Sequence, residues 1–118
     1  MNELVAQYLE AWNTTDAEAR KAAVARVFTT DATYVDPMVD VAGHAGLEAV
    51  IAGVQAQFPG WTFRLGGPVD AHHDQVRFTW DLGPADGPAV VIGFDVAVVT
   101  DGKIAQVFGF LDKVPAAA

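Results

Sequence analysis

The chain has 118 residues, 52% of them hydrophobic, and 15 acids against 7 bases give it a net charge of −8. That length makes one domain that buries roughly two-thirds of the surface its unfolded chain exposes, without a disulfide or metal staple. The charge repels phosphate backbones and anionic lipids, which sets aside nucleic acid and membrane as partners.

Leu4, Val5, Tyr8, Leu9 and Trp12 recur at three- and four-residue spacing, which predicts an amino-terminal amphipathic helix ended by Asn13-Thr14. The start of the chain lacks the cationic and continuous apolar regions of a signal peptide. There are no cysteines, and no apolar run approaches the roughly 20 residues that span a bilayer, so a cytoplasmic protein is expected. Thr15 followed by Glu18 has capping-box spacing and predicts a second helix, with Ala23, Val24, Val27 and Phe28 on its buried stripe. Residues 32–35 read as a short strand running into Asp36, which Pro37 holds extended. Gly43 and Gly46 open a third helix carrying Leu47, Val50, Ile51, Val54 and Phe58, and Pro59-Gly60 stops it.

From there the period changes. Residues 61–65, 75–82, 89–100 and 103–114 are rich in Val, Phe, Ile and Trp and separated by turn signals, with Thr100-Asp101-Gly102-Lys103 the strongest hairpin signal. Residues 1–114 read as a single domain and 115–118 as a frayed tail. Helices first and strands afterwards predict an α+β domain with helices on one face of a curved antiparallel sheet. Along 89–100 both faces are apolar. Val91, Gly93, Asp95, Ala97 and Val99 form a small-sided face suited to lining a cavity. The bulky opposite face, with Phe94 and Val96 continued by Phe108 and Phe110, suits a homodimer interface.

The segments YLEAWNTTD, FTTDATYVDP, GHAGLEAV and GFDVAVVTDGKIAQVFGFLD, in that order, resemble the SnoaL-like branch of the NTF2-like superfamily over nearly the whole chain. The resemblance implies a cone-shaped α+β fold, with three helices packed on a curved, mostly antiparallel sheet that encloses a pocket. That fold hosts isomerases, polyketide cyclases, epoxide hydrolases, dehydratases and non-catalytic binding modules. Within it the site residues are most similar to those of ketosteroid isomerases. Their catalytic base falls on Asp36, one oxyanion donor on Tyr8, and the other, a protonated aspartate of the penultimate strand, on Asp95. Polyketide cyclases and limonene-epoxide-hydrolase-like enzymes place an essential aspartate at the position of Gly109. The hydrolases also need an Arg and an Asp where this chain has Trp80 and Leu82.

The chemistry of the residues supports a related reading. Proton abstraction beside a carbonyl needs a base near the carbon and donors where the enolate oxygen gains charge. Asp36 suits the first task and Tyr8 with Asp95 the second. Each has a plain alternative: Asp36 as a turn residue, Tyr8 as a core residue with a satisfied hydroxyl, and Asp95 as a partner of Arg77 or Arg64. The expected pocket has aromatic walls from Trp12, Tyr34, Phe58, Trp61, Phe63, Phe78 and Trp80, completed by Val107 and Leu111, and its crowding points to a ligand smaller than a steroid. His44 is a candidate for the rim or a plain helix-entry residue. Asp70, His72, His73 and Asp74 sit at a turn without a third ligand at helical spacing, so neither metal nor cofactor is expected. Serine is absent as well as cysteine, which removes the commonest nucleophiles. The sequence thus predicts a protein for a small apolar, carbonyl-containing molecule, read as a proton-transfer isomerase, with a non-catalytic binding module or a dimeric interaction domain as alternatives.

Overall fold

Val5, Tyr8, Leu9 and Trp12 are buried along one side of α1 (Asn2–Asn13), as the spacing of its apolar residues dictates. The computed structural model describes residues 1–115; the rest of the expected tail, 116–118, lies outside the described residues. The second helix, α2 (Ala17–Val27), is capped by Asp16 and not by Thr15: the Asp16 carboxylate accepts the Ala19 N–H at 2.9 Å. A carboxylate bonded to the free N–H groups also suits the positive end of the helix dipole. Phe28 is buried, but it lies past the end of α2 and begins β1 (Phe28–Val35).

That strand starts four residues earlier than its apolar residues suggest. Phe28 already pairs with Ile104 of the last strand, and the polar residues Thr29, Thr30 and Asp31 are carried along in the register irregularity between Phe28 and Thr33. Two further strands escape the sequence pattern altogether. β2 (Asp40–Ala42) and β4 (Asp70–His72) are three residues each and mostly exposed. Nothing in their composition marks them, and they exist because β1 and a longer neighbour offer edges to pair with. Between β1 and the later strands lies α3 (Gly43–Gln57), entered at Gly43 with φ +79.

The remaining strands are β3 (Trp61–Leu65), β5 (Gln75–Pro84), β6 (Val91–Thr100) and β7 (Lys103–Lys113). They join one seven-stranded sheet of order β2-β1-β7-β6-β5-β3, with β4 on β5. Every pairing is antiparallel except β1 with β7, which is parallel. The helices pack against this open, mixed sheet, so the fold is α+β. The core runs from Val24, Val27 and Phe28 through Tyr8, Phe78, Ala97 and Val107.

Asn13 shows how closely α1 is tied to the sheet. Its side-chain amide donates to the Phe63 carbonyl at 2.9 Å and accepts the Phe63 N–H at 2.7 Å, imitating a strand pairing. Gln55 of α3 closes the other side by donating to the Trp12 and Thr14 carbonyls, each at 2.9 Å. These bonds fix the end of α1 where Trp12 stands.

Candidate functional site

A cavity of about 770 Å³ lies between the sheet, α1 and α3, within the range of small-molecule sites. Tyr8, Asp36 and Asp95 all line it, although they come from α1, the loop after β1 and β6. Trp12, Tyr34, Phe58, Phe63, Trp80 and Leu111 line it too. Three residues expected there do not. Phe78 is 1% exposed and packs edge-on to Tyr8 behind the wall. Val107 is buried in the core opposite Ala97. Trp61 stacks on Phe58 at 4.6 Å between ring centroids and does not reach the cavity.

These placements change the expected crowding. With Phe78, Trp61 and Val107 turned elsewhere, fewer bulky side chains crowd the cavity than the sequence suggests. The α3 side is built from small or slender residues, including Gly46, Ala49, Val50 and Gly53. On β6 the inner face divides its duties. Val91 and Asp95 line the cavity, Ala97 belongs to the core, and Gly93 lies beneath Trp80, where any Cβ would run into the indole. Gly93 is therefore a seat for Trp80.

Two tyrosine–aspartate pairs form the polar part of the lining. In one, the Tyr8 hydroxyl donates to Asp95 Oδ2 at 2.7 Å, and both residues are at most 2% exposed. Burial pushes the Asp95 carboxyl up to about 6, with the nearby Asp36 charge adding to it and the Tyr8 hydroxyl and Trp80 indole pulling the other way. Neither arginine considered as its partner reaches it: Arg77 pairs with Asp70 at 3.0 Å and Arg64 donates to the Gly87 carbonyl at 3.3 Å. Asp95 Oδ1 is buried with no hydrogen-bond partner. Burial, followed by the Asp95 charge, holds the Tyr8 hydroxyl well above its ordinary range, so it is a neutral donor.

In the other pair, the Tyr34 hydroxyl donates to Asp36 Oδ2 at 2.8 Å, while Oδ1 accepts the Met38 and Val39 N–H groups at 2.8 and 3.0 Å. Asp36 is half-buried and remains on the cavity wall. Tyr34 is kept neutral by burial and by the charges of Asp95 and Asp36. The sequence marked Tyr34 as pocket wall only. Its spacing of two from Asp36, which puts both on one side of an extended chain, was the available signal for a bond between them.

Between the two acids sits Gly109, whose Cβ would stand 3.0 Å from Asp95 Oδ1 and 3.2 Å from the Asp36 Cβ. His44 is not at the rim: its Nε2 lies 3.1 and 2.9 Å from the Phe28 and Thr29 carbonyls, so that nitrogen carries the proton and pins α3 to β1. Among the described residues no Lys, Arg or His lines the cavity, no cluster of three or more acids and histidines is placed to hold a metal ion, and no helix is long and apolar enough to cross a membrane.

Comparisons with known proteins agree with this architecture. The SnoaL-like domain model matches residues 5–107. A SnoaL-like family protein from Agrobacterium tumefaciens, provisionally named an isomerase, superposes with a TM-score of 0.88 at 38% identity, over 93% of this chain and 95% of that one. A protein from Kribbella flavida provisionally named a ketosteroid isomerase is similar at TM-score 0.69 and 18% identity, over 98% and 80% of the two chains. One from Sinorhizobium meliloti provisionally named a polyketide cyclase is similar at 0.71 and 15%, over 93% and 94%. The last two likenesses concern the fold alone. No curated protein matches the sequence significantly. A family model spanning most of the chain and a 38% identical relative with the same fold lead to one conclusion: this chain belongs to the SnoaL-like family, within the NTF2-like fold.

Proposed function

We propose that the cavity binds a small, neutral, carbonyl-containing molecule and moves a proton on it, as a ketosteroid isomerase-like enzyme does. The observation that carries this reading is the presence of Asp36, Tyr8 and Asp95 on one apolar cavity. Asp36 takes a proton from the carbon next to the carbonyl, and the electron pair moves onto the oxygen to give a dienolate. The Tyr8–Asp95 pair faces that oxygen. When Asp95 holds its proton it can donate to the Tyr8 oxygen, which releases the Tyr8 hydrogen for the enolate. Asp36 then returns the proton at the far carbon of the conjugated system, so no proton or electron is gained or lost. The chemistry needs no cofactor.

The test is an enone-forming assay on β,γ-unsaturated ketones, from a cyclohexenone to a steroid, followed by absorbance. Asp36→Asn should lower the rate by about 10³-fold, and an unchanged rate removes the base from the mechanism. A second reading, a non-catalytic binding module, is favoured by the bonds from Met38 and Val39 to Asp36 Oδ1, which are those of a turn lock. It predicts ligand binding with no turnover in the same assay.

The proposal includes a homodimer. Phe108 and Phe110 are 40% and 57% exposed on the outer sheet face, beside half-buried Phe94 and Val96. Phe110→Glu should convert a dimer seen by sedimentation equilibrium into a monomer, whereas a wild-type monomer would remove this part of the proposal.

A further inference from the structure

We infer that the Trp12 indole N–H is a direct donor to an uncharged oxygen of the ligand, a binding role separate from those of Tyr8 and Asp95. The inference rests on the same cavity as the proposed function, but it concerns recognition and needs no turnover. Trp12 is 5% exposed and lines the cavity, and its Nε1 is buried without a hydrogen-bond partner. An indole nitrogen can only donate, so a buried one without an acceptor carries an uncompensated desolvation cost. The Trp12 backbone carbonyl, by contrast, is satisfied by Gln55.

Two further observations identify the group that would complete this donor. The Trp12 ring packs against Tyr8 at 6.2 Å between centroids, and its N–H has no hydrogen-bond partner. A ligand oxygen reaching Tyr8 therefore comes beside the Trp12 ring as well. The Tyr8 hydrogen is held by Asp95 at 2.7 Å, which leaves Trp12 as the uncommitted donor while Asp95 is ionised. The side chain is also held in place in advance. Asn13 and Gln55 clamp the backbone on either side, and the ring is wedged between Tyr34 and Phe63 at 5.6 and 5.3 Å between centroids. With no cationic side chain among the described lining residues, the oxygen it meets belongs to a ketone, ester or hydroxyl and not to a carboxylate.

The experiment uses the full chain labelled with ¹⁵N in its three indoles and two probes of nearly equal shape: 2-acetylnaphthalene, and 2-isopropenylnaphthalene, in which CH₂ replaces the carbonyl oxygen. The Trp12 Nε1–H signal, identified by its loss in Trp12→Phe, should move downfield with the ketone and less with the hydrocarbon, while those of Trp61 and Trp80 respond alike to both. The wild type should prefer the ketone by about tenfold, and Trp12→Phe should lose most of that preference while still binding the hydrocarbon. Equal movement with both probes, a Trp12 signal unmoved at the solubility limit of the ketone, or a preference retained in Trp12→Phe overturns the inference. Failure of the proton-transfer reading shows up elsewhere, as absence of turnover or indifference to Asp36→Asn.

Discussion

The cavity holds the same pair of functional groups twice, in opposite settings. Tyr8 and Asp95 come together from α1 and β6 and are at most 2% exposed, with one carboxylate oxygen unpartnered. Tyr34 and Asp36 are two residues apart, and their half-buried carboxyl also accepts two backbone N–H groups. One acid is starved of hydrogen bonds and the other well supplied. Burial favours the neutral form of the first, while the local turn supplies the second with two backbone N–H donors. The same pair of side chains thus meets two different settings in one cavity, one dry and one hydrogen-bonded to its own turn.

Breaking the comparison at Asp36 gives the largest effect. Asp36→Asn removes a proton acceptor, and the roughly 10³-fold loss proposed above corresponds to about 4 kcal/mol of barrier. The companion change, Asp95→Asn, acts through pH. The Asp95 carboxyl stands at about 6 in the folded chain against 3.8 ordinarily. Its contribution to stability is thus fully present below pH 4 and is lost as pH rises through 6. Urea unfolding should show the stability difference moving in favour of Asp95→Asn by on the order of 3 kcal/mol between those limits. A pH-independent difference would mean that the two acids do not differ in setting.

Tyr8→Phe sharpens the contrast further. It leaves a buried carboxyl without its donor and should cost about 2 kcal/mol near neutral pH. Because the Tyr8 bond favours the Asp95 anion, its removal should also shift the alkaline limb of the rate profile upward from about pH 6. Tyr34→Phe is the smallest change. Asp36 keeps its bonds from Met38 and Val39, so about 1 kcal/mol or less is expected by thermal unfolding. A larger cost than that of Tyr8→Phe would invert the ranking of the two pairs.

Much of this arrangement was legible in the sequence, for identifiable reasons. An acid inside VVIGFDVAVV has to face inward on a strand whose alternate residues are small, and its register follows from the period of two. The periodic stripes gave the three helices, and the glycine and proline punctuation gave the four longer strands. The partners of the acids were less visible. Arg77 and Arg64 looked available to Asp95 by charge, but β4 and the loop at Gly87 claim them, and β4 itself has no compositional signal. The aromatic residues were overcounted as cavity wall. Hydrophobicity says that Phe78, Trp61 and Val107 avoid water, but only the packing decides whether they do so against a cavity or against the core.

The parallel pairing of β1 with β7 sets a fixed gauge for the site. Val35 pairs with Phe108, which brings Asp36 level with Gly109, and Gly109 pairs with Asp95. The two acids therefore stand in one transverse row, their Cα atoms two strand spacings apart, about 10 Å. That interval is set by the strand pairings of Val35 with Phe108 and of Asp95 with Gly109, so a change of wall residue leaves it in place. The row has one blank tooth, Gly109. A side chain installed there enters between the acids, which makes Gly109 a position from which the setting of both could be re-cut at once.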